Sequence, residues 1–220
     1  MAVIAKFAKG ELKNANKLSS SRKQIRKQIN IRKQTLGAIK ETTMADFDFE
    51  SLIIDIPDYP TPGVVFKDIT PLFLNPEAFN ELVNAIADEF EEAGITKVMG
   101  AEARGFMLGA PVAYRLGVGF VPARKPNKLP RETVSVEYEL EYGTAELHVH
   151  KDAITEDDVI LIVDDLIATG GTILAQVKLV EGFGAKLAGI ASLMELEFLN
   201  PREAISKETD AKYFSLVKVK

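Results

Sequence analysis

The chain has 220 residues, enough for one substantial domain and too few for two large ones. Its 46% apolar and 27% charged composition is that of an ordinary globular protein, and no apolar run approaches the ~18 residues of a membrane span. With no cysteine there are no disulfides, thiolate-zinc sites or thiol nucleophiles, which fits a reducing, cytoplasmic setting.

The net charge of −5 is unevenly distributed. Residues 1–43 hold eleven Lys and Arg against Glu11 and Glu41, a balance of +9, whereas the rest holds 16 basic and 30 acidic residues, a balance of −14. Such asymmetry marks a separate basic tail, and the acidic body lacks the positive stripe that a nucleic-acid surface needs. The tail includes SSSRKQIRKQINIRKQTLG, in which Ile25 and Ile29 lie one helical turn apart but no sustained apolar face follows. It could be a nucleic-acid arm, an organelle-targeting peptide or a dispensable leader. The favoured reading is a disordered leader over 1–43 with no part in catalysis. The composition changes abruptly at MADFDFE, so a single domain is expected over 44–220.

From Met44 onward helices and strands alternate. In NPEAFNELVNAIADEFEEAG, Asn75 is placed to cap a helix, Pro76 to open it and Gly94 to follow it, with Phe79, Leu82, Val83, Ile86 and Phe90 as the apolar stripe. TKVMGAEA then reads as a strand, RGFMLGAPVAYRLG as a helix and VGFVPAR as a strand. PNKLPRET is an irregular, charged loop, the composition of a lid over phosphates. TVSVEYELEYG and AELHVH alternate and form a hairpin. VILIV (159–163) is a continuous apolar run suited to a parallel strand covered on both faces, followed by a helix with Ile173, Leu174, Val177 and Val180 on one side. KLAGIASLM reads as another buried strand. This order predicts an α/β fold, an open, mostly parallel twisted sheet flanked by helices, with ligands beyond the carboxyl ends of its strands.

The chemistry concentrates at VILIVDDLIATGGT. Asp164 and Asp165 repel one another unless something positive or hydroxyl-rich meets them. In the ATGGT turn, Gly170 and Gly171 permit close backbone approach, Thr169 and Thr172 supply hydroxyls, and a helix N-terminus favours a phosphate. Two carboxylates before such a cradle suit a sugar diol with a divalent cation nearby, so the segment describes a sugar-phosphate site. The bland alternative is an ordinary strand end with a helix cap. A Walker loop is excluded because no lysine precedes Thr172, and GFGAKL (182–187) has Leu187 where a dinucleotide fingerprint needs glycine. His148 and His150 share a strand face, but with no cysteine and no third histidine a structural role is favoured over a metal site.

VILIVDDLIATGGT also resembles the phosphoribosyl pyrophosphate (PRPP) signature of the type I phosphoribosyltransferases. YPTPGVVFKDITPL (59–72) and RKPNKLPRETVSVEYELEYG (124–143) resemble the base-proximal segment and mobile loop of the members that act on adenine. The likeness runs from about residue 50 to 217 and leaves out residues 1–43. It implies the type I phosphoribosyltransferase fold, with a small base-binding hood and a mobile β loop. Asp164 and Asp165 would bind the ribose hydroxyls, and Ala168, Thr169, Gly170, Gly171 and Thr172 the 5′-phosphate. Glu102-Ala103-Arg104-Gly105 would form the pyrophosphate turn, where relatives often have Asp-Ser at the first two positions, with Arg104 on the diphosphate. Arg124, Lys125 and Lys128 would also meet the pyrophosphate. Val65, Phe66 and Lys67 would line the adenine pocket, with lysine at 67 where many relatives have a forking arginine. Glu141 would be the catalytic acid facing the purine.

The implied reaction is transfer of the 5-phosphoribosyl group from PRPP to adenine, giving AMP and pyrophosphate in purine salvage. Mg²⁺ is the implied cofactor, held mainly by PRPP with no direct protein ligand beyond water-mediated contact to Asp164. The implied partners are adenine, PRPP and a second copy of the chain in a homodimer, with no membrane and no nucleic acid. Two alternatives stand beside this: a phosphoribosyltransferase of the same fold for another purine, and a PRPP-sensing regulator that binds nucleic acid.

Overall fold

Asn75 acts as the sequence predicts. In the computed structural model, which describes residues 47–139 and 144–220, its side chain accepts from the backbone N–H groups of Glu77 and Ala78 and caps a helix over Pro76–Glu89. In chain order the elements are β1 (Ile54–Pro57), β2 (Val65–Asp68), α1 (Thr70–Leu74), α2 (Pro76–Glu89), β3 (Lys97–Ala101), α3 (Arg104–Leu116) and β4 (Gly119–Ala123). They continue as β5 (Thr133–Glu139), β6 (Thr144–His150), β7 (Val159–Ile167), α4 (Gly171–Gly182), β8 (Lys186–Leu196), α5 (Pro201–Ser206) and β9 (Lys212–Val219). The leader 1–43 and Glu141 lie outside the described residues.

Five strands pair in the order β4-β3-β7-β8-β9, every pair parallel. β7 is central and apolar, so helices cover both faces. Leu82, Ile86 and Phe90 from α2 and its end, with Leu108 and Val112 from α3, bury one face against Leu161, Val163 and Leu193. Ile173, Val177 and Val180 of α4 bury the other against Ile160, Ile162 and Ile190. Each fully buried Leu or Ile contributes about 1.5–3 kcal/mol relative to exposure. Two hairpins stand outside the sheet. β1–β2 is a small two-stranded unit that contains residues 65–67, and β5–β6 pairs from Thr133↔His150 to Glu139↔Thr144.

Two sequence expectations change. The stripe on α4 is too narrow, because Ala175, Gln176 and Leu179 are buried as well. Leu147 and Val149 of the β5–β6 hairpin belong to the same core, so α4 has neighbours on more than its sheet side. The strand read as 159–163 instead runs through the acids to Ile167. Its facing also inverts there: Ile160 and Ile162 join the α4 core and Leu161 and Val163 the other, but Leu166 joins the second and Ile167 the first. The register irregularity of β7 against β8 lies earlier, between Ile160 and Leu161, and the register is constant from Leu161 to Ile167. The short elements β1, β2, α1, α5 and the edge strand β9 carry too little periodicity to be read from sequence.

Candidate active site at the carboxyl end of the sheet

β3 and β7 are neighbours, so the turns leaving them lie side by side at the carboxyl edge. The first turn holds Glu102 and Ala103, joined by a cis peptide, and leads into α3 at Arg104. The second runs from Ala168 to Thr172 and opens α4. The start of α3 meets β7 at Gly105, where a Cβ would stand 2.9 Å from Asp164 Oδ1 and 3.4 Å from the Val163 carbonyl oxygen. Only glycine lets the first turn of α3 sit this close to the acid.

Asp164 and Asp165 are 7% and 4% exposed. Asp164 Oδ1 accepts from the backbone N–H of Asp165 at 2.9 Å. Arg104 Nε lies 2.9 Å from Asp165 Oδ2, but off the line of a hydrogen bond, so that oxygen accepts none from the described residues. Burial pushes the Asp164 carboxyl well above the usual carboxylate range, and the neighbouring charge of Asp165 adds to it. Burial raises Asp165 too, against the pull of Arg104. Two raised carboxyls with spare acceptor capacity are matched to hydroxyl donors or a cation.

Behind the acids, Gly170 adopts φ +91°, and no side chain caps the N-terminus of α4. Thr169 is exposed, while Ala168, Gly171 and Thr172 are partly exposed. A helix start without a side-chain cap, fronted by hydroxyls, is an anion seat. The Arg104 guanidinium also lies 5.4 Å from the centroid of the Phe66 ring, tying the turn to the β1–β2 hairpin. There Val65 is exposed, Phe66 packs edge-on against Tyr59 at 5.2 Å, and Lys67 Nζ donates to both carboxylate oxygens of Asp55 at 2.6 and 2.8 Å.

Of the three cations after β4, Lys125 and Lys128 are exposed, while Arg124 is held. Its Nε donates to Glu102 Oε2 at 2.8 Å, its guanidinium lies 5.8 Å from the Phe106 ring centroid, and its backbone exchanges hydrogen bonds with His148. Burial pushes the Glu102 carboxyl up, but the hydrogen bonds from Arg124 and the Lys125 backbone outweigh it and the net direction is down. Sequence reading placed Glu102 only as a turn residue. Its partner is 22 residues away, and no local signal reveals the pair. The structure thus brings Phe66, Arg104, Asp164, Asp165 and the 168–172 turn to one edge, while Glu141 lies outside the described residues.

His148 contacts Glu146 Oε2 at 3.0 Å and Thr133 Oγ1 at 3.2 Å. No cluster of three His, Asp or Glu that could hold a metal occurs among the described residues. A cavity of about 460 Å³ is lined by Arg131, Glu132, Lys151 and Asp152. Its charges are matched internally, Arg131 with Asp152 and Lys151 with Glu132, so it lacks the unpaired acids of the sheet edge.

The family model described as phosphoribosyl transferase domain matches residues 72–219. The adenine phosphoribosyltransferase of Solidesulfovibrio magneticus is 52% identical over 158 residues, 72% of this chain and 92% of that protein. The crystal structure of adenine phosphoribosyltransferase from Thermoanaerobacter pseudethanolicus superposes with a TM-score of 0.74 at 50% identity, covering 77% of this chain and 97% of that one. That of the Saccharomyces cerevisiae enzyme, complexed with an imino-altritol bisphosphate and adenine, gives 0.70 at 39% identity, covering 76% and 96%.

Proposed function

The chain belongs to the adenine phosphoribosyltransferases of the phosphoribosyltransferase family, and on that premise we propose that it transfers the 5-phosphoribosyl group of PRPP to adenine, releasing AMP and pyrophosphate in purine salvage. The observation that carries the reading is the buried Asp164–Asp165 pair, with an unsatisfied oxygen, beside an anion-seating helix start. In this reading the ribose hydroxyls donate to the two carboxylates and the 5′-phosphate sits on Ala168–Thr172. Arg104 stands between Asp165 and Phe66, where ribose, diphosphate and base converge. Val65, Phe66 and Lys67 border the base, with Lys67 steadied by Asp55.

As the bond from the anomeric carbon to pyrophosphate breaks, that carbon gains oxocarbenium-like charge and a purine nitrogen bonds to it. The chain's contribution is to align that nitrogen, to neutralise the departing diphosphate with Arg104, Arg124, Lys125 and Lys128, and to receive the purine proton on Glu141. Arg124 reaches the diphosphate only by sharing or leaving Glu102.

The hard oxygens of Asp164 fit water-mediated contact to a Mg²⁺ that arrives on PRPP and would be held mainly by its phosphates. When bound, the ion offsets charge on the leaving group. The exposed Met107 (46%) and Tyr114 (89%), seven residues apart on α3, support a homodimer through that helix face. No described helix is long and apolar enough to cross a membrane. A cysteine-free chain supports a cytoplasmic site of action. We place the enzyme in residues 44–220, so removal of 1–43 is expected to leave the rate in a PRPP-dependent assay unchanged.

The test is a PRPP-dependent assay with adenine, hypoxanthine, guanine and xanthine, run beside Glu141→Gln and Asp165→Asn. Adenine alone is expected to release pyrophosphate at speed. Release with another base and not adenine sinks the specificity, and full activity in both variants sinks the site.

A further inference from the structure

Behind the phosphate turn stands a wall that none of the site residues supplies. A Cβ built on Gly170 would lie 3.4 Å from Ile205 Cγ1, 3.6 Å from Ile205 Cδ1 and 3.8 Å from the Pro201 carbonyl oxygen. All three atoms belong to α5, whose Pro201 and Ile205 are buried. A helix of six residues has no stability of its own and must be held from outside.

Arg202 holds it. Its Nε donates to Glu195 Oε1 at 2.9 Å, its Nη1 to the Tyr213 carbonyl at 3.3 Å, and its guanidinium lies 4.2 Å from the Tyr213 ring centroid. Glu195 is fully buried near the end of β8 and is paired in register with Ile167, the last residue of β7 before the turn. Lys218 Nζ approaches the same carboxylate oxygen at 3.8 Å. Glu195 is fully buried but the Arg202 side chain is 41% exposed, and an ion pair open to water on one side is a weak source of net stability, so stability alone accounts poorly for this one. Its location accounts for it better. The carboxylate is fixed to the strand beside the turn, and the guanidinium to the helix that backs the turn.

We propose that Arg202 and Glu195 are positioning residues: through α5 they hold Ile205 and Pro201 behind Gly170, within contact distance of the Cβ position it leaves empty, and so set the backbone of the 168–172 turn that receives the 5′-phosphate. This rests on the proposed seat of that phosphate. The pair touches no substrate and acts on the affinity for the phosphorylated sugar rather than on the base.

The experiment measures KM for PRPP and for adenine, kcat, and calorimetric binding of ribose 5-phosphate in the full chain. Arg202→Met is expected to raise the PRPP KM and weaken ribose 5-phosphate by about tenfold, with the adenine KM changed by less than about twofold. Arg202→Lys keeps the charge but not the fork or the stacking, and recovers only part of the loss. Ile205→Val leaves the ion pair intact while trimming the wall. It is expected to shift the PRPP KM in the same direction, and it decides the matter if Arg202→Met does not fold. Thr172→Ala separates the phosphate seat from the positioning role. If it leaves ribose 5-phosphate binding unchanged, the phosphate is not seated on the turn, and both the seat and the positioning role fall. If it weakens binding while Arg202→Met and Ile205→Val leave the PRPP KM unchanged, or move both substrates' KM equally, the positioning role alone is overturned.

Discussion

Asp158, just before β7, and Asp164 and Asp165, near its carboxyl end, are similarly buried, at 7, 7 and 4% exposure. Their surroundings are opposite. Asp158 accepts from Lys97 Nζ at 2.6 Å, Thr96 Oγ1 at 2.8 Å, and the backbone N–H and Oγ1 of Thr155 at 2.8 and 3.0 Å. Burial pushes its carboxyl up, but these donors prevail and hold it well below the usual carboxylate range. At the other end, burial prevails over a single misaligned guanidinium. The difference separates structure from site. Where the chain supplies every partner, a buried charge ties β3 to β7. Where it withholds them, the deficit is left for a ligand to fill.

The largest effect expected from this contrast is kinetic. Asp165→Asn removes an acceptor for ribose and is expected to lower kcat/KM about a hundredfold, without lowering the unfolding midpoint. A variant that loses stability instead would place Asp165 with Asp158 as a structural acid. Asp158→Ala is the converse. It removes the acceptor of Lys97 and of three other donors, and is expected to cost about 3 kcal/mol in urea denaturation while kcat/KM of the folded enzyme stays unchanged.

A smaller effect appears in pH. The carboxyl of Asp158 is lowered by folding, so its stabilisation is complete above the ~4 of an unfolded aspartate and fades as pH falls below it. That of Asp164 is raised, so the native state is penalised increasingly as pH climbs past the same ~4. Asp164→Asn is therefore expected to gain about 1 kcal/mol over the parent at pH 7, with the gain vanishing towards pH 4 in parallel denaturation curves. An equal gain at both pH values would reject the electrostatic origin. The smallest change is at Asp55, whose half-exposed pair with Lys67 is expected to be worth less than about 1 kcal/mol and to weaken with salt. Asp55→Asn measured at low and high ionic strength checks it.

Much of the fold was legible because its signals are local. Asn75 and Pro76 announce a helix within one turn, and five apolar residues at 159–163 announce a doubly covered strand. The parts that escaped have short or mixed patterns. β9 is half-buried along most of its length, and α5 carries only Pro201 and Ile205 inward. The site divides in the same way. VDDLIATGGT is contiguous and its chemistry reads directly, whereas the link from Phe66 through Arg104 to Asp165 joins three distant segments.

The sequence by itself determined which groups exist and their local geometry: a parallel-sheet strand, an acid pair, a glycine turn opening a helix. These depend on backbone propensity and chemistry within a few residues. Only the tertiary structure decided which charges are answered. Lys67 is held by Asp55 and Arg124 by Glu102, while Asp165 Oδ2 and Glu195 Oε2 are left without a donor among the described residues. Pairing depends on distance and burial, and those are set by the order of strands in the sheet and the helices laid across it. No stretch of chain carries that information alone.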